Sequence, residues 1–244
     1  MPKPLLQNRE PILQLQNVNK DFNRLPVLRK VNLLLNSGEL IYIVGENGSG
    51  KSTLLNLISH DDVPDTGIIQ VGNYRLDQLT KKDMPYFRRT IGYMHQTPDL
   101  IPEMTVKDNL MYPLHALGYD EETVRHRYED ILALTGLYDL RNSKVSHDNH
   151  FLLSGGQLQM VSIAQALVNQ PEILLCDEPT GNLDSEKSDY VINFLENVTK
   201  MNTAVVIVTH DNNLVYNHPH TTYSLDPQTH TLIKRKWGSK EGTI

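Results

Sequence analysis

Two stretches near the start of the chain alternate, and three later ones are apolar without interruption. Ile12-Leu13-Gln14-Leu15-Gln16-Asn17-Val18 alternates, which predicts a strand with one wet face, and Val27–Leu35 reads as a second strand region ended by Asn36-Ser37-Gly38. The runs Leu40–Val44, Ile173–Cys176 and Ala204–Val208 are continuous, as strands buried on both faces of a parallel sheet are. Ile68–Val71 and Ile91–Met94 read as shorter strands. Helical spacing follows Lys51 (Leu54, Leu55, Leu57, Ile58), runs from Thr105 to Leu140 (Val124, Tyr128, Ile131 and Leu132 on one face), and returns from Leu153 to Leu167, where Pro171 ends it. Tyr190, Val191, Phe194, Leu195 and Val198 make one more amphipathic helix. Between these lie turn chemistry at Asp61–Gly67, an irregular segment at 97–102 enforced by Pro98 and Pro102, and a polar loop at 141–150. Residues 1–11, with three prolines, read as a flexible lead-in. The fold class this predicts is α/β, with no internal repeat.

Composition narrows the picture slightly. At 244 residues, 39% of them hydrophobic, the chain is long enough for a substantial core. A formal net charge of −6 argues against a nucleic-acid face. Cys176 is the only cysteine, which rules out an internal disulfide or a cysteine metal cluster and suits a reducing cytoplasm. No stretch has the apolar length needed to cross a bilayer, and no apolar signal core follows the first residues. Work at a membrane would therefore need another chain as anchor. The basic end, with Lys234, Arg235, Lys236 and Lys240, reads as a solvated face.

The chemistry begins between the strand at Leu40–Val44 and the helix after it. Gly45-Glu46-Asn47-Gly48-Ser49-Gly50-Lys51-Ser52-Thr53 fits G-x-x-x-x-G-K-[ST] in the strand–loop–helix context that this phosphate-binding loop requires. Glycines let successive backbone N–H groups turn inward, the helix start adds its positive dipole end, Lys51 supplies a charge for the terminal phosphates, and the Ser52 hydroxyl can ligate Mg²⁺. Asp177 and Glu178 end another buried strand, at the edge of a parallel sheet where ligands bind. Beside a phosphate loop they read as a Mg²⁺ carboxylate, acting through water, and the group that polarises the attacking water. His210, just past a third buried run, can bond the γ-phosphate or hold that water. Gln96, after Ile91–Met94, can ligate Mg²⁺ and orient water. Phe22, an isolated aromatic in a polar stretch, is either a core anchor or a flat surface for a base.

Ser154-Gly155-Gly156-Gln157 opens the helix that runs to Leu167 and offers a serine N-cap with bare amides, a second anion site. One nucleotide needs one cradle. The second one predicts a homodimer that closes head to tail on ATP and opens after hydrolysis.

With these motifs in this order, the chain resembles the ATP-binding subunit of an ABC transporter from about Ile12 to the last strands near Leu232. Gly45–Thr53 corresponds to Walker A, Gln96 to the Q-loop glutamine, Leu153–Gln157 to the LSGGQ signature, Ile173–Asp177 with Glu178 to Walker B, Asp184 to the D-loop and His210 to the switch histidine. The resemblance implies a P-loop NTPase fold with a RecA-like core, an antiparallel β subdomain and a helical signature subdomain, the whole cassette spanning 12–244 with the helical part inserted at about 97–168. It makes Phe22 the aromatic that stacks on adenine, and ATP and Mg²⁺ the cofactors. It places Ser154, Gly155, Gly156, Gln157 and Asp184 on a nucleotide held by the partner copy.

Within the family, Pro179–Asp184 is similar to the branch of FtsE, LolD and MacB, and Pro85–Gly92 with Ala166–Pro171 is most similar to FtsE. That implies a peripheral ATPase on the cytoplasmic face of the cell membrane. Its partner would be an integral membrane protein, FtsX-like or another permease, contacting residues 96–112, and its output would be control of cell division or cell-wall hydrolysis. A LolD- or MacB-type exporter or release complex is the alternative. A soluble ABC ATPase is a second one, disfavoured because the chain carries one cassette and no long coiled-coil insertion. Three features depart from the family pattern: Met160 and Gln165 stand where arginine is usual, His150-Phe151 replaces a proline-containing lead-in, and Cys176 replaces a small alanine.

Overall fold

The computed structural model describes residues 11–147, 150–181 and 183–235. The expected lead-in before Pro11, Asn182, Lys236 and Lys240, and the side chains of His150 and Phe151, lie outside that description.

In chain order, Pro11–Phe22 (β1) and Leu25–Asn36 (β2) form an antiparallel pair, followed by Leu40–Val44 (β3) and the helix Lys51–Ser59 (α1). Thr66–Val71 (β4) and Tyr74–Arg75 (β5) complete a four-stranded antiparallel sheet of order β2-β1-β4-β5. Met84–Thr90 (α2) leads into Ile91–Met94 (β6); Val106–Ala116 (α3) and Glu121–Thr135 (α4) come next. A two-stranded hairpin, Ser146–His147 (β7) with His150–Phe151 (β8), precedes Gly155–Leu167 (α5). Ile173–Asp177 (β9), Ser185–Thr199 (α6), Ala204–Thr209 (β10), Asn212–Asn217 (α7), Thr221–Leu225 (β11) and Leu232–Lys234 (β12) finish the described chain.

The three continuous apolar runs are the centre of a six-stranded sheet, β12-β11-β3-β10-β9-β6, parallel except at β12. Their continuity has a direct cause. Leu40, Tyr42, Val44, Leu174, Cys176, Val205 and Ile207 face one core with side chains of α3–α6, whereas Ile41, Ile43, Ile173, Leu175, Val206 and Val208 face a second core with α1 and the antiparallel sheet. Each run is buried on both sides, so alternation has nothing to report.

β1 shows the opposite logic. Leu13, Leu15 and Val18 are all buried, a spacing that cannot come from a regular strand. Asn17 takes a left-handed φ of 50° and the register shifts between Leu15 and Val18, so a bulge carries the apolar face past Gln16 and Asn17, both exposed. Gly67 has φ 99°, and a Cβ there would stand 2.6 Å from the Asn17 carbonyl oxygen, so the bulge is matched by a glycine.

The helical stretch predicted from Thr105 to Leu140 divides. Gly118 turns left-handed (φ 76°), and Asp120 caps α4 by accepting from the Thr123 N–H at 2.9 Å. The hairpin β7–β8 stands where the sequence predicted only a polar loop. α5 ends at Leu167, as the sequence predicts, and Gln170, left-handed (φ 54°), leads the chain into Pro171. Of the departures, Met160 is buried in the helical core. Gln165 Nε2 donates to the Asn109 carbonyl at 3.1 Å. Asn109 is fully buried: its side chain accepts from Ile101 N–H at 2.7 Å and donates to the carbonyls of Ile101 and Thr105, both at 3.0 Å. Burial pushes the Cys176 thiol far up, so it stays protonated.

Candidate functional site

The loop after β3 turns on two left-handed glycines, Gly48 (φ 79°) and Gly50 (φ 104°). Gly50 is the N-cap of α1 and contributes no side-chain cap, so the first amides of the helix are not claimed by a local side chain. The Ser49 hydroxyl in the same loop is buried without a hydrogen-bond partner. Lys51 is 6% exposed; its Nζ donates to the carbonyls of Gly45 (2.8 Å) and Glu46 (3.0 Å) and lies 3.8 Å from Glu178 Oε1. Burial lowers the Lys51 ammonium below its ordinary value, against the pull of Glu178 and Asp177.

β3, β10 and β9 are neighbours, which brings the motif ends to one rim of the sheet. Asp177 closes β9, buried, and lines the same cleft as Ser52. Burial raises the Asp177 carboxyl above its ordinary value. Glu178 follows in a left-handed conformation, φ 50°. Its Oε2 accepts from Thr209 Oγ1 at 3.0 Å and its Oε1 lies 2.9 Å from His210 Nδ1. Thr209 is fully buried at the end of β10, and its Oγ1 also accepts from the Asp211 N–H at 3.0 Å.

A cleft of about 530 Å³ joins Phe22, Val27, Asn47, Gly48, Gly50, Lys51, Ser52, Thr53, Gln96, Asp177 and Glu178. Phe22 is 47% exposed, with Lys20 Nζ 5.0 Å from its ring centre, so of the two readings open to it the core anchor falls away. A second cleft of about 480 Å³ shares Asn47 and adds Gly45, Glu46, His210 and Arg235. Ser154, Gly155, Gly156, Gln157 and Asp184 line neither cleft. Ser154 and Gln157 form a reciprocal capping box at the start of α5: the Ser154 hydroxyl accepts from the Gln157 N–H (3.3 Å) and Gln157 Oε1 accepts from the Ser154 N–H (2.8 Å). Asp184 caps α6 in the same way, accepting from the Lys187 N–H at 3.0 Å, and its carboxylate pairs with the Lys187 ammonium. A Cβ on Gly156 would stand 3.1 Å from Lys187 Cδ, so the starts of α5 and α6 are adjacent.

The donor set fits Mg²⁺. Ser52 and Asp177 present a hydroxyl and a carboxylate to one cleft, which Gln96 lines as well. Among the described residues no cluster of three or more His, Cys, Asp or Glu could hold a metal by itself. An ion shared with phosphate and water oxygens, as Mg²⁺ is held with nucleotides, matches that sparse set. The buried, unpartnered Ser49 hydroxyl likewise matches a phosphate cradle.

Two residues of the site escaped sequence reasoning. Thr209 gave no signal beyond ending an apolar run. Gln159 on α5 donates from Nε2 to the carbonyl of Pro179, next to Glu178, and only the folded chain brings the two together.

Residues 28–181 match the family model described as ABC transporter. The chain is 34% identical over 216 residues to the cell division ATP-binding protein FtsE of Streptococcus pneumoniae serotype 2, covering 88% of this chain and 92% of that one. It is 35% identical over 217 residues to the lipoprotein-releasing system ATP-binding protein LolD of Bacteroides thetaiotaomicron, covering 88% and 97%. Among solved structures, the dimeric post-hydrolysis state of the ATP-binding cassette MJ0796 bound to ADP and Pi superposes with a TM-score of 0.79 at 32% identity, covering 93% of this chain and 99% of that one. The two sheets and the helical layer thus form the fold of an ABC ATPase cassette.

Proposed function

Because this chain belongs to the ABC transporter family, we propose that it is the Mg²⁺-dependent ATPase subunit of a membrane complex, hydrolysing ATP to ADP and phosphate. The observation that carries the reading is the setting of Glu178: a buried carboxylate held by Thr209 and His210, 3.8 Å from the Lys51 ammonium, at the mouth of the phosphate-loop cleft. Phe22 stacks on the base, Gly45–Thr53 cradle the phosphates, and Ser52, Asp177 and Gln96 would hold Mg²⁺, which would supply charge neutralisation on the phosphate oxygens. Glu178 accepts the proton of the attacking water, with His210 steadying its carboxylate and bonding the γ-phosphate. Ser154, Gly155, Gly156, Gln157 and Asp184 serve the nucleotide of a second copy, so that ATP closes a homodimer. Their separation from the cleft of their own chain and the dimeric state of MJ0796 support this arrangement.

The cassette spans 12–244, with the helical subdomain at about 97–168. Residues 96–112 contact an integral membrane partner on the cytoplasmic face; no helix among the described residues is long and apolar enough to cross a membrane itself. The FtsE-like reading makes that partner FtsX-like and the output cell division or cell-wall hydrolysis. The comparable identity to LolD supports a release complex as the second reading. Identifying the integral membrane protein that co-purifies separates them: a four-helix FtsX-like protein favours the first, a permease with a large external domain the second.

Glu178→Gln tests the chemistry. ATP binding stays, hydrolysis falls by about 10²–10⁴-fold, and the ATP-bound dimer accumulates on size exclusion. Turnover at the unaltered rate would refute the assignment.

A further inference from the structure

Glu178 occupies a conformation that its backbone does not favour. A non-glycine residue at φ 50° is strained and persists only where its surroundings hold it. The Glu178 N–H donates to the Val208 carbonyl (3.0 Å), and its carbonyl accepts from the Gly181 N–H (3.2 Å). The next residue, Pro179, has no N–H and a fixed φ, so its carbonyl is the one backbone handle it offers. That carbonyl belongs to a buried residue and accepts from Gln159 Nε2 at 2.5 Å. The same Nε2 lies 3.6 Å from Sδ of Met94, a buried residue two positions before Gln96. Gln159 thus stands between the strand end that carries Gln96 and the one that carries Glu178.

α5 makes this a rigid connection. Met160, Val161, Ile163 and Ala164 bury its inner face, so the helix that starts at Ser154 moves as one body with Gln159. We infer that Gln159 is a positioning residue for Glu178: its amide holds the carbonyl of Pro179, the residue after the left-handed glutamate, and so sets where the carboxylate points, and a displacement at the start of α5 reaches the general base through this bond. The inference rests on the reading of Glu178 as the base that takes the water proton. Gln159 lines neither of the two clefts; it acts through the backbone.

The test compares Gln159→Met, which keeps length and bulk without the donor, with Gln159→Lys, which restores a donor at similar reach. Steady-state MgATP hydrolysis by the full chain is normalised to the nucleotide-binding stoichiometry of each preparation, so unfolded protein does not count. Gln159→Met lowers kcat by about 10- to 100-fold with KM within about twofold, the scale of a general base misplaced by about 1 Å. Gln159→Lys recovers most of that loss. Unchanged kcat in Gln159→Met, a loss confined to KM, or a loss that lysine does not restore would each overturn the inference. Glu178→Gln in parallel keeps the two claims apart: if it is inactive while Gln159→Met is normal, only the positioning role fails, and if it is active the base assignment itself is wrong.

Discussion

α1 and α5 both start beside glycines, Gly50 as the N-cap of one and Gly155-Gly156 opening the other, yet the two helix starts differ in what they leave unclaimed. At α1 the N-cap is Gly50, left-handed and without a capping side chain, and the Ser49 hydroxyl beside it is buried with no partner. At α5 the N-cap is Ser154, and it and Gln157 satisfy each other through a full capping box. The first start leaves its polar groups without a capping side chain; the second is satisfied within itself by Ser154 and Gln157. Under the proposed function, the first is a committed phosphate cradle and the second a conditional one. The contrast suits a cassette whose first half-site binds nucleotide before the second engages.

Substitutions can break or sharpen that contrast. The largest effect belongs to Lys51→Ala, which removes the buried ammonium from the committed cradle. We expect ATP affinity of the dilute protein to fall by at least about 100-fold, measured by calorimetry, since a charge-assisted contact in a buried site contributes about 3 kcal/mol. Gly50→Ala comes next. A Cβ there meets Val27 Cγ1 at 2.9 Å and φ is 104°, so strain of about 2 kcal/mol lowers Tm by about 4–8 °C. Ser154→Ala is the mildest: losing the cap costs about 1 kcal/mol, or about 2–4 °C in Tm. ATP binding by the dilute chain is then unchanged, and ATP-driven dimerisation in light scattering is lost. If Ser154→Ala weakened binding in the dilute chain as much as Lys51→Ala, both helix starts would be serving one nucleotide in one molecule, and the contrast would be void.

The features legible in the sequence are those written over consecutive residues. The continuous runs in β3, β9 and β10 signal burial on both faces, and the nine residues from Gly45 to Thr53 declare, by their spacing, a glycine turn between a strand and a helix. What escaped is written across distance. The bulge at Asn17 becomes intelligible only when Gly67 lies against it, and the break between α3 and α4 takes four residues, 117–120, with left-handed Gly118 among them. The β7–β8 hairpin has no apolar alternation to announce it. Thr209 and Gln159 are ordinary residues whose roles exist only because β10 and α5 bring them to Glu178 and Pro179.

The fully buried Asn109 side chain grips Ile101 on both of its backbone groups. A segment with prolines at 98 and 102 looks, in sequence, like slack that would absorb any push. With Ile101 clamped to α3 and Leu100 buried in the helical core, only residues 97–99 span from Gln96 to that anchor, so the two prolines bracket a short tether and not a long slack loop.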